Sequence, residues 1–472
     1  DVEEVVVTGS KIKSADLYSF APVSEVTAED IAISGKASIG EILAELPSQG
    51  SGLSRTFNNG GEGSVRIDMR NLGSGRTLIL VDGKRWVNSG RGANGSVDLN
   101  SIPTALVERV EILRDGASAV YGSDAIAGVI NIITKDDFSG TTATYQMGEY
   151  FDGGGASEVM TFTVGESDGN SSYIAGVSVV DLESLGNGER PETNLRPANG
   201  GSAGTPQGRF AYSGVVGSCS NFTVTEGTPG TNPATDFRCW ESPDDRFNYN
   251  PYNYIETPSK RLNAFAKMTR DLDSGQTVRL DMMYQKRDSD RLLAPMPLFY
   301  GFGDFGGSEG ISRNNPYNPF GIEFCDLNGE SVEGKTCNDA NYPDGYANGW
   351  FGRRMLETGN RLYTDDIETY RAMVSLDGSA MGFDYTAYFS KATNNALNTT
   401  DGLLDSGAIK KSLADDCGPN GNGTTCLNIF GGQGPDGAYL GNGLWSGSGS
   451  ITPEMARAIS FQAKSSGGNQ MT

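Results

Sequence analysis

At 472 residues the chain is long enough for two or three ordinary domains, or for one large all-β unit. Its 37 Lys and Arg stand against 59 Asp and Glu, a formal charge of -22, which excludes a nucleic-acid binder because phosphates need a positive footprint. There is no His, so Ser-His and Cys-His catalysis is absent and zinc held by Cys and His is improbable.

The 65 glycines are roughly twice ordinary usage. Aromatic and alternating apolar residues persist throughout, so the excess points to turns rather than disorder. No run of ~18 apolar residues occurs, which removes a transmembrane helix but not a transmembrane β-strand, since that needs only ~10 alternating residues. The first residue is Asp and no leader precedes it, so the chain reads as a processed mature form or a trimmed piece. Six cysteines fall as three close pairs, Cys219 with Cys239, Cys325 with Cys337 and Cys417 with Cys426. That arrangement suits local disulfides in an oxidising compartment.

The chain opens on "EEVVVTGS", Glu3 to Ser10, where three β-branched residues ask for a paired strand but no local hairpin partner follows. Either they join the protein's own sheet or they wait for another protein's. "SIGEILAELPS" then places Ile39, Ile42, Leu43 and Leu46 at helical spacing, with Ser38 as N-cap and Pro47 as the stop. "SVRIDMRNLG" alternates Val65, Ile67 and Met69 against Arg66, Asp68 and Arg70 and predicts a half-buried strand. "RTLILVDGKRW" predicts a second strand turning at Asp82-Gly83, "LVERVEILRDG" a third, and Val129 to Ile133 a last apolar one.

From about residue 139 two-sided strands interrupt long polar stretches. Seven are expected, near 139–150, 155–165, 171–183, 259–271, 277–289, 361–377 and 382–394. Short turns ("GESDGNS", "DLDSGQ", "DGSAMG") alternate with excursions of about seventy residues. Soluble domains rarely tolerate such connections, whereas outer-membrane barrels carry short turns on one side and long loops on the other. If the first strand runs outward, all three short turns fall on one side, and every cysteine pair on the other.

"EEVVVTGS", "SIGEILAELPS", "VRIDMRNLGSGRTLILVDGKR" and "IPTALVERVEILRDGASAVYGSDAIAGVINIITK" together resemble the plug of the TonB-dependent outer-membrane receptors, in family order across most of residues 1–137. The resemblance implies a small α/β plug domain inside a transmembrane antiparallel β-barrel of about 22 strands, of which about seven are encoded here. It divides the chain into a TonB box and linker (1–12), a plug (13–137) and the N-terminal portion of the barrel with long extracellular loops (138–472). Glu4, Val5, Val6, Val7, Thr8 and Gly9 would be the TonB box, pairing as an added strand on the sheet of TonB, which an inner-membrane motor complex pulls.

Arg70 and Arg114 match family arginines that face barrel carboxylates, giving a plug–barrel latch that can switch partners. The plug's outward loops would offer Arg55, Phe57, Asn58, Asn59, Trp86, Asn88 and Arg91 to a ligand, as hydrogen-bond forks and aromatic faces suited to a polar organic molecule. "FNYNPYNY" and "NGWFGRR" either stack on such a ligand or pack their own loops.

The implied function is TonB-dependent uptake of a scarce nutrient, a ferric siderophore or another organic ligand such as an oligosaccharide or peptide, across the outer membrane of a Gram-negative cell. The alternative is a passive binding or adhesion barrel with a static plug. No catalytic residue, resident metal or cofactor is expected, although acidic loops such as "DLNGE" could hold Ca²⁺ weakly. Lipid and lipopolysaccharide would surround the barrel.

Two departures from the family stand out. Seven strands cannot close such a barrel, and the chain ends "GGNQMT" with no terminal strand expected. "ITPEMARAISFQAK" is expected to be a loop helix, with Thr452 at the N-cap and Pro453 at N1. The sequence thus reads as the N-terminal half of a receptor, completed by a missing remainder or by a second chain.

Overall fold

Residues 23–50, 52–59, 61–90, 95–114, 117–197, 200–302, 309–431, 439–441, 444–445 and 450–472 are described by the computed structural model. Their first part is a five-stranded sheet built from β1 (Val23–Thr27), β2 (Thr77–Val81), β3 (Lys84–Arg85), β4 (Val107–Leu113) and β5 (Gly128–Thr134). The spatial order is β1-β4-β5-β2-β3, with β2 and β5 parallel and the other pairs antiparallel. Asp82 and Gly83 turn β2 into β3 with φ of 49° and 72°, the left-handed pair that a two-residue hairpin demands.

Helix α1 (Ala28–Ser34) starts at a capping box between Thr27 and Asp30 and stops at Gly35, whose φ is 65°. Helix α2 (Ile39–Leu43) is capped by Ser38 as the sequence predicts, but it ends after five residues, short of Pro47. Ile31, Ile39, Leu43, Ile79, Val110 and Ile132 belong to the apolar core that these elements share. The strand expected at "SVRIDMRNLG" is absent. That segment runs extended with two isolated bridges, Leu53 to Arg66 and Gln49 to Met69, and Arg66 is buried beside its apolar neighbours.

The second part is one antiparallel sheet of eight strands in sequential order. They are β6 (Gly140–Gly148), β7 (Ser157–Ser167), β8 (Ser171–Leu182), β9 (Ser259–Asp271), β10 (Thr277–Leu293), β11 (Arg361–Ala380), β12 (Phe383–Leu404) and β13 (Ser460–Met471). The first seven stand where alternation predicts them. The eighth corrects the expectation of no terminal strand, because the helix at Thr452 spans only Pro453–Ile459 and the chain then pairs with β12 from Leu404 back to Ala392. Neither β6 nor β13 has a second partner strand among the described residues, so the sheet is open.

The faces of this wall are the reverse of a soluble sheet. Arg261, Asn263, Lys267, Asp281, Gln285, Arg287, Thr369 and Arg371 are buried against the first part. Leu262, Met268, Leu280, Met282, Tyr370 and Val374 point outward and are exposed, Met282 to 48 %. Apolar residues turned out and polar residues turned in are the pattern of a strand that faces lipid.

The connections sort as predicted. Turns 168–170, 272–276 and 381–382 are short, while 183–258, 294–360 and 405–459 are long and carry all three disulfides, Cys219–Cys239, Cys325–Cys337 and Cys417–Cys426. The long connections are not structureless. They build a cap around a five-stranded sheet whose centre is formed by Arg209–Ala211 and Trp350–Arg354. Phe210, Phe222, Phe324, Phe351 and Phe430 fill its core, with Phe210 stacked on Phe430 at 4.9 Å and on Phe222 at 5.1 Å.

Candidate functional site

The surface between plug and wall combines an apolar patch, where Ile174, Phe265, Met283 and Ala392 of the wall join the plug core, with specific polar joints. Lys267 of β9 lies 3.4 Å from the Asp82 carboxylate, donates to Thr134 Oγ1 at 2.6 Å and also pairs with Asp136. Arg287 of β10 is fully buried and meets Asp98 at 3.2 Å, while its Nη1 donates to the Glu62 carbonyl at 2.8 Å. Asp98 also accepts from the Val65 and Asn100 backbone N–H groups at 2.9 and 3.0 Å, so its charge is held from both sides. Asn394 of β12 accepts from Gly90 N at 3.0 Å, and Asn469 of β13 donates to Gly90 O at 2.9 Å. Each of these polar contacts is a hydrogen bond or ion pair that water could replace as the surfaces part.

These joints differ from the expected latch. Arg70 adopts φ 59° and donates to the Ile126 and Ala127 carbonyls at 2.8 and 3.2 Å, within the plug itself. It therefore clamps its own turn and reaches no wall carboxylate among the described residues. Arg114 is exposed and has no ion pair among them. In the Lys267–Asp82 and Arg287–Asp98 pairs the charges run the other way, with the cation on the wall and the carboxylate on the plug. The sequence carried the signal, since Lys267 and Arg287 occupy inward positions where a lone charge is costly.

At the loop end, Arg55 is 3.0 Å from Glu256 and donates to the carbonyls of Glu183 at 2.7 Å and Thr257 at 3.3 Å. Asn58 donates to Leu292 O at 2.6 Å. Both side chains thus tie the plug apex to the wall rim. Phe57, 46 % exposed, and the exposed Asn59 and Asn88 remain open to solvent.

Trp86 is a correction. It is 4 % exposed, its indole N–H donates to Ser101 Oγ at 2.8 Å, and Arg371 stacks 5.0 Å from its ring. It is core rather than apex, as its place next to β3 dictates. Arg91 and the segment Glu4, Val5, Val6, Val7, Thr8 and Gly9 lie outside the described residues. Phe247 and Phe351 of the two aromatic loop segments are buried and pack the cap. Asp326 of "DLNGE" accepts from Asn328 N and Glu330 N at 2.9 Å each, which makes it a buried turn residue. In the cap, burial pushes the Glu323 carboxyl up to about 7 although Arg313 N donates to it at 2.9 Å.

Residues 18–129 match the TonB-dependent Receptor Plug Domain family. Among solved structures the chain is similar to a ferric enterobactin receptor mutant from Pseudomonas aeruginosa in complex with enterobactin, at 19 % identity over 80 % of this chain and 50 % of that one, with a TM-score of 0.35. It is also similar to the siderophore receptor PirA from Acinetobacter baumannii (18 % identity, 86 % and 51 % covered, TM-score 0.34). The ferric preacinetobactin receptor of the same organism is a third (10 % identity, 82 % and 48 % covered, TM-score 0.37). The chain spans about half the length of these structures. Residues 18–129 thus form a plug domain of the TonB-dependent receptor type, set against an antiparallel wall whose apolar side faces outward.

Proposed function

We propose that the chain is the plug-bearing part of a receptor that takes up a scarce organic ligand, a ferric siderophore or another small molecule such as an oligosaccharide or peptide, by energised transport. The single observation that carries this reading is the plug–wall surface, where Lys267–Asp82 and Arg287–Asp98 hold a plug through separable polar joints. Water can replace each of these joints as the plug moves, and the apolar patch around Phe265 and Met283 adds a resistance of about 25 cal/mol per Å² of burial lost. Phe57, Asn59 and Asn88, exposed on the plug, would meet the ligand. Arg114 is available to a carboxylate of wall strands beyond the eight. Glu4 to Gly9 would add as a strand to the sheet of TonB, the grip coming from main-chain hydrogen bonds.

The test is deletion of Glu3 to Ser10 in the intact receptor. Uptake is expected to vanish while surface binding of the ligand survives. Transport that continues unchanged would sink energised uptake and leave a passive binding barrel.

A further inference from the structure

Between α1 and the inner face of β6, β7, β8 and β9 lies a cleft of about 270 Å³. Its lining includes Lys36, Lys135 and Arg261 and not one Asp or Glu, in a chain with a formal charge of -22. Lys36 is neutralised by Glu45 at 2.6 Å. The other two cations meet neutral groups. Lys135 Nζ donates to the Ala105 carbonyl at 3.0 Å. Arg261, 4 % exposed, donates from Nη1 to Asn100 Oδ1 at 2.6 Å and from Nη2 to the Ala37 carbonyl at 3.4 Å.

Among the described residues Arg261 has no ion pair, and its Nε has no hydrogen-bond partner. Asp98, which could have served it, is engaged by Arg287. Asn263, also buried on this lining, leaves its Oδ1 without a partner. A buried guanidinium with no carboxylate in direct contact is costly, because Glu41 and Asp98 offset its desolvation only at longer range. Hydroxyls of Thr163 and Ser178 line the same space and can donate, while Thr161 Oγ1 donates to Ser178 Oγ at 3.2 Å.

We propose that this cleft is an oxyanion site, in which Arg261 and Lys135 hold a carboxylate- or phosphate-type group with help from the threonine and serine hydroxyls. The planar guanidinium supplies directed donors and the ammonium a point charge, a combination that suits tetrahedral or planar oxyanions over chloride. The guest is either a free oxyanion that completes the resting plug–wall seam or an acidic group borne by a larger molecule moving past the plug. The site does not depend on the uptake reading, since an oxyanion could settle the seam of a plug that never moves.

The intact receptor in detergent is melted with increasing phosphate, and separately with citrate, each against chloride at matched ionic strength and pH. Phosphate raises melting temperatures of many proteins without saturating, so saturation and the variants carry the decision. A saturable rise is expected, with the apparent Kd at least tenfold weaker in Arg261→Met and severalfold weaker in Lys135→Met. A saturable response to phosphate identifies a free oxyanion, and a response to citrate alone identifies a carboxylate-bearing guest. Heat-modifiable gel mobility checks that the barrel forms. Should Arg261→Met fail that check, Arg261→Lys, which keeps the charge and loses the fork, is expected to weaken binding in its place. No saturable rise with either anion, or the same Kd in wild type and the Arg261 variant, would overturn the site.

Discussion

Arg287 places a full charge where no solvent reaches it, and what makes this tolerable is Asp98 at 3.2 Å together with the Glu62 carbonyl. Removing one member of such a pair costs more than the pair is worth, because the survivor stays buried and uncompensated. Asp98→Ala is therefore expected to lower the stability of the plug–wall assembly by about 3 kcal/mol. The double variant Asp98→Ala with Arg287→Met should recover the part due to the stranded guanidinium, while the loss of the acceptor for Val65 N and Asn100 N remains. Denaturant unfolding of the four proteins of the cycle measures the coupling, and strictly additive losses would show that the two residues do not act as a pair.

Glu323 makes a pH prediction in the cap. Its carboxyl ordinarily loses its proton near 4.5, and in the folded cap burial pushes that up to about 7. Below pH 4.5 both folded and unfolded forms hold the proton. Between 4.5 and 7 only the folded form does, so cap stability falls as pH rises through this window and levels off above it. Glu323→Gln is expected to flatten that slope, read as protease resistance of the cap between pH 5 and 8. An unchanged slope in the variant would assign the pH dependence elsewhere.

At the scale of elements, the three disulfides divide the cap rather than the wall. Cys325 and Cys337, twelve residues apart, close a small loop beside Tyr342. Removing a cross-link over such a loop releases about 3 kcal/mol of chain entropy to the unfolded cap. Cys325→Ser with Cys337→Ser should hasten tryptic cleavage at the exposed Lys335 and leave the heat-modifiable mobility of the barrel unchanged. Loss of that mobility instead would mean the cap is needed for wall assembly.

Element by element, the wall was legible because alternation reports a surface with two different sides, and seven strands obey it. β13 escaped because "SFQAKSSGGNQM" alternates nothing; its pairing with β12 comes from that neighbour's free edge. "SVRIDMRNLG" misled for the opposite reason, since Arg66 is folded inward on Ser64 and Ser96 and the apparent polar face is not a solvent face. The site was half legible. Asp82 and Asp98 look like ordinary turn residues, and only a third dimension brings Lys267 and Arg287 to them. Arg70 looked like a latch, but its positive φ turns it back on carbonyls 56 and 57 residues further along the chain.

For the whole molecule, the decisive property is which way the wall turns its apolar side. Were this a soluble protein, Leu280, Met282, Tyr370 and Val374 would be its core, and Asp281, Gln285 and Arg371 its surface. The order is inverted: the inward set is buried against the plug, while lipid suits the outward one. A charge placed outward should then fail in a depth-dependent way that an aqueous face would ignore. Met282→Arg, facing out near the middle of β10, is expected to cost about 2–4 kcal/mol in a bilayer. The same change at Lys260, exposed at the loop end of β9, should cost about 0–1 kcal/mol, since Lys there already sits beside Asp181 at 3.0 Å. Reversible unfolding from lipid vesicles measures both. Equal, small losses at the two positions would mean that water, not hydrocarbon, bathes the outer face, and the membrane reading of this wall would fall with them.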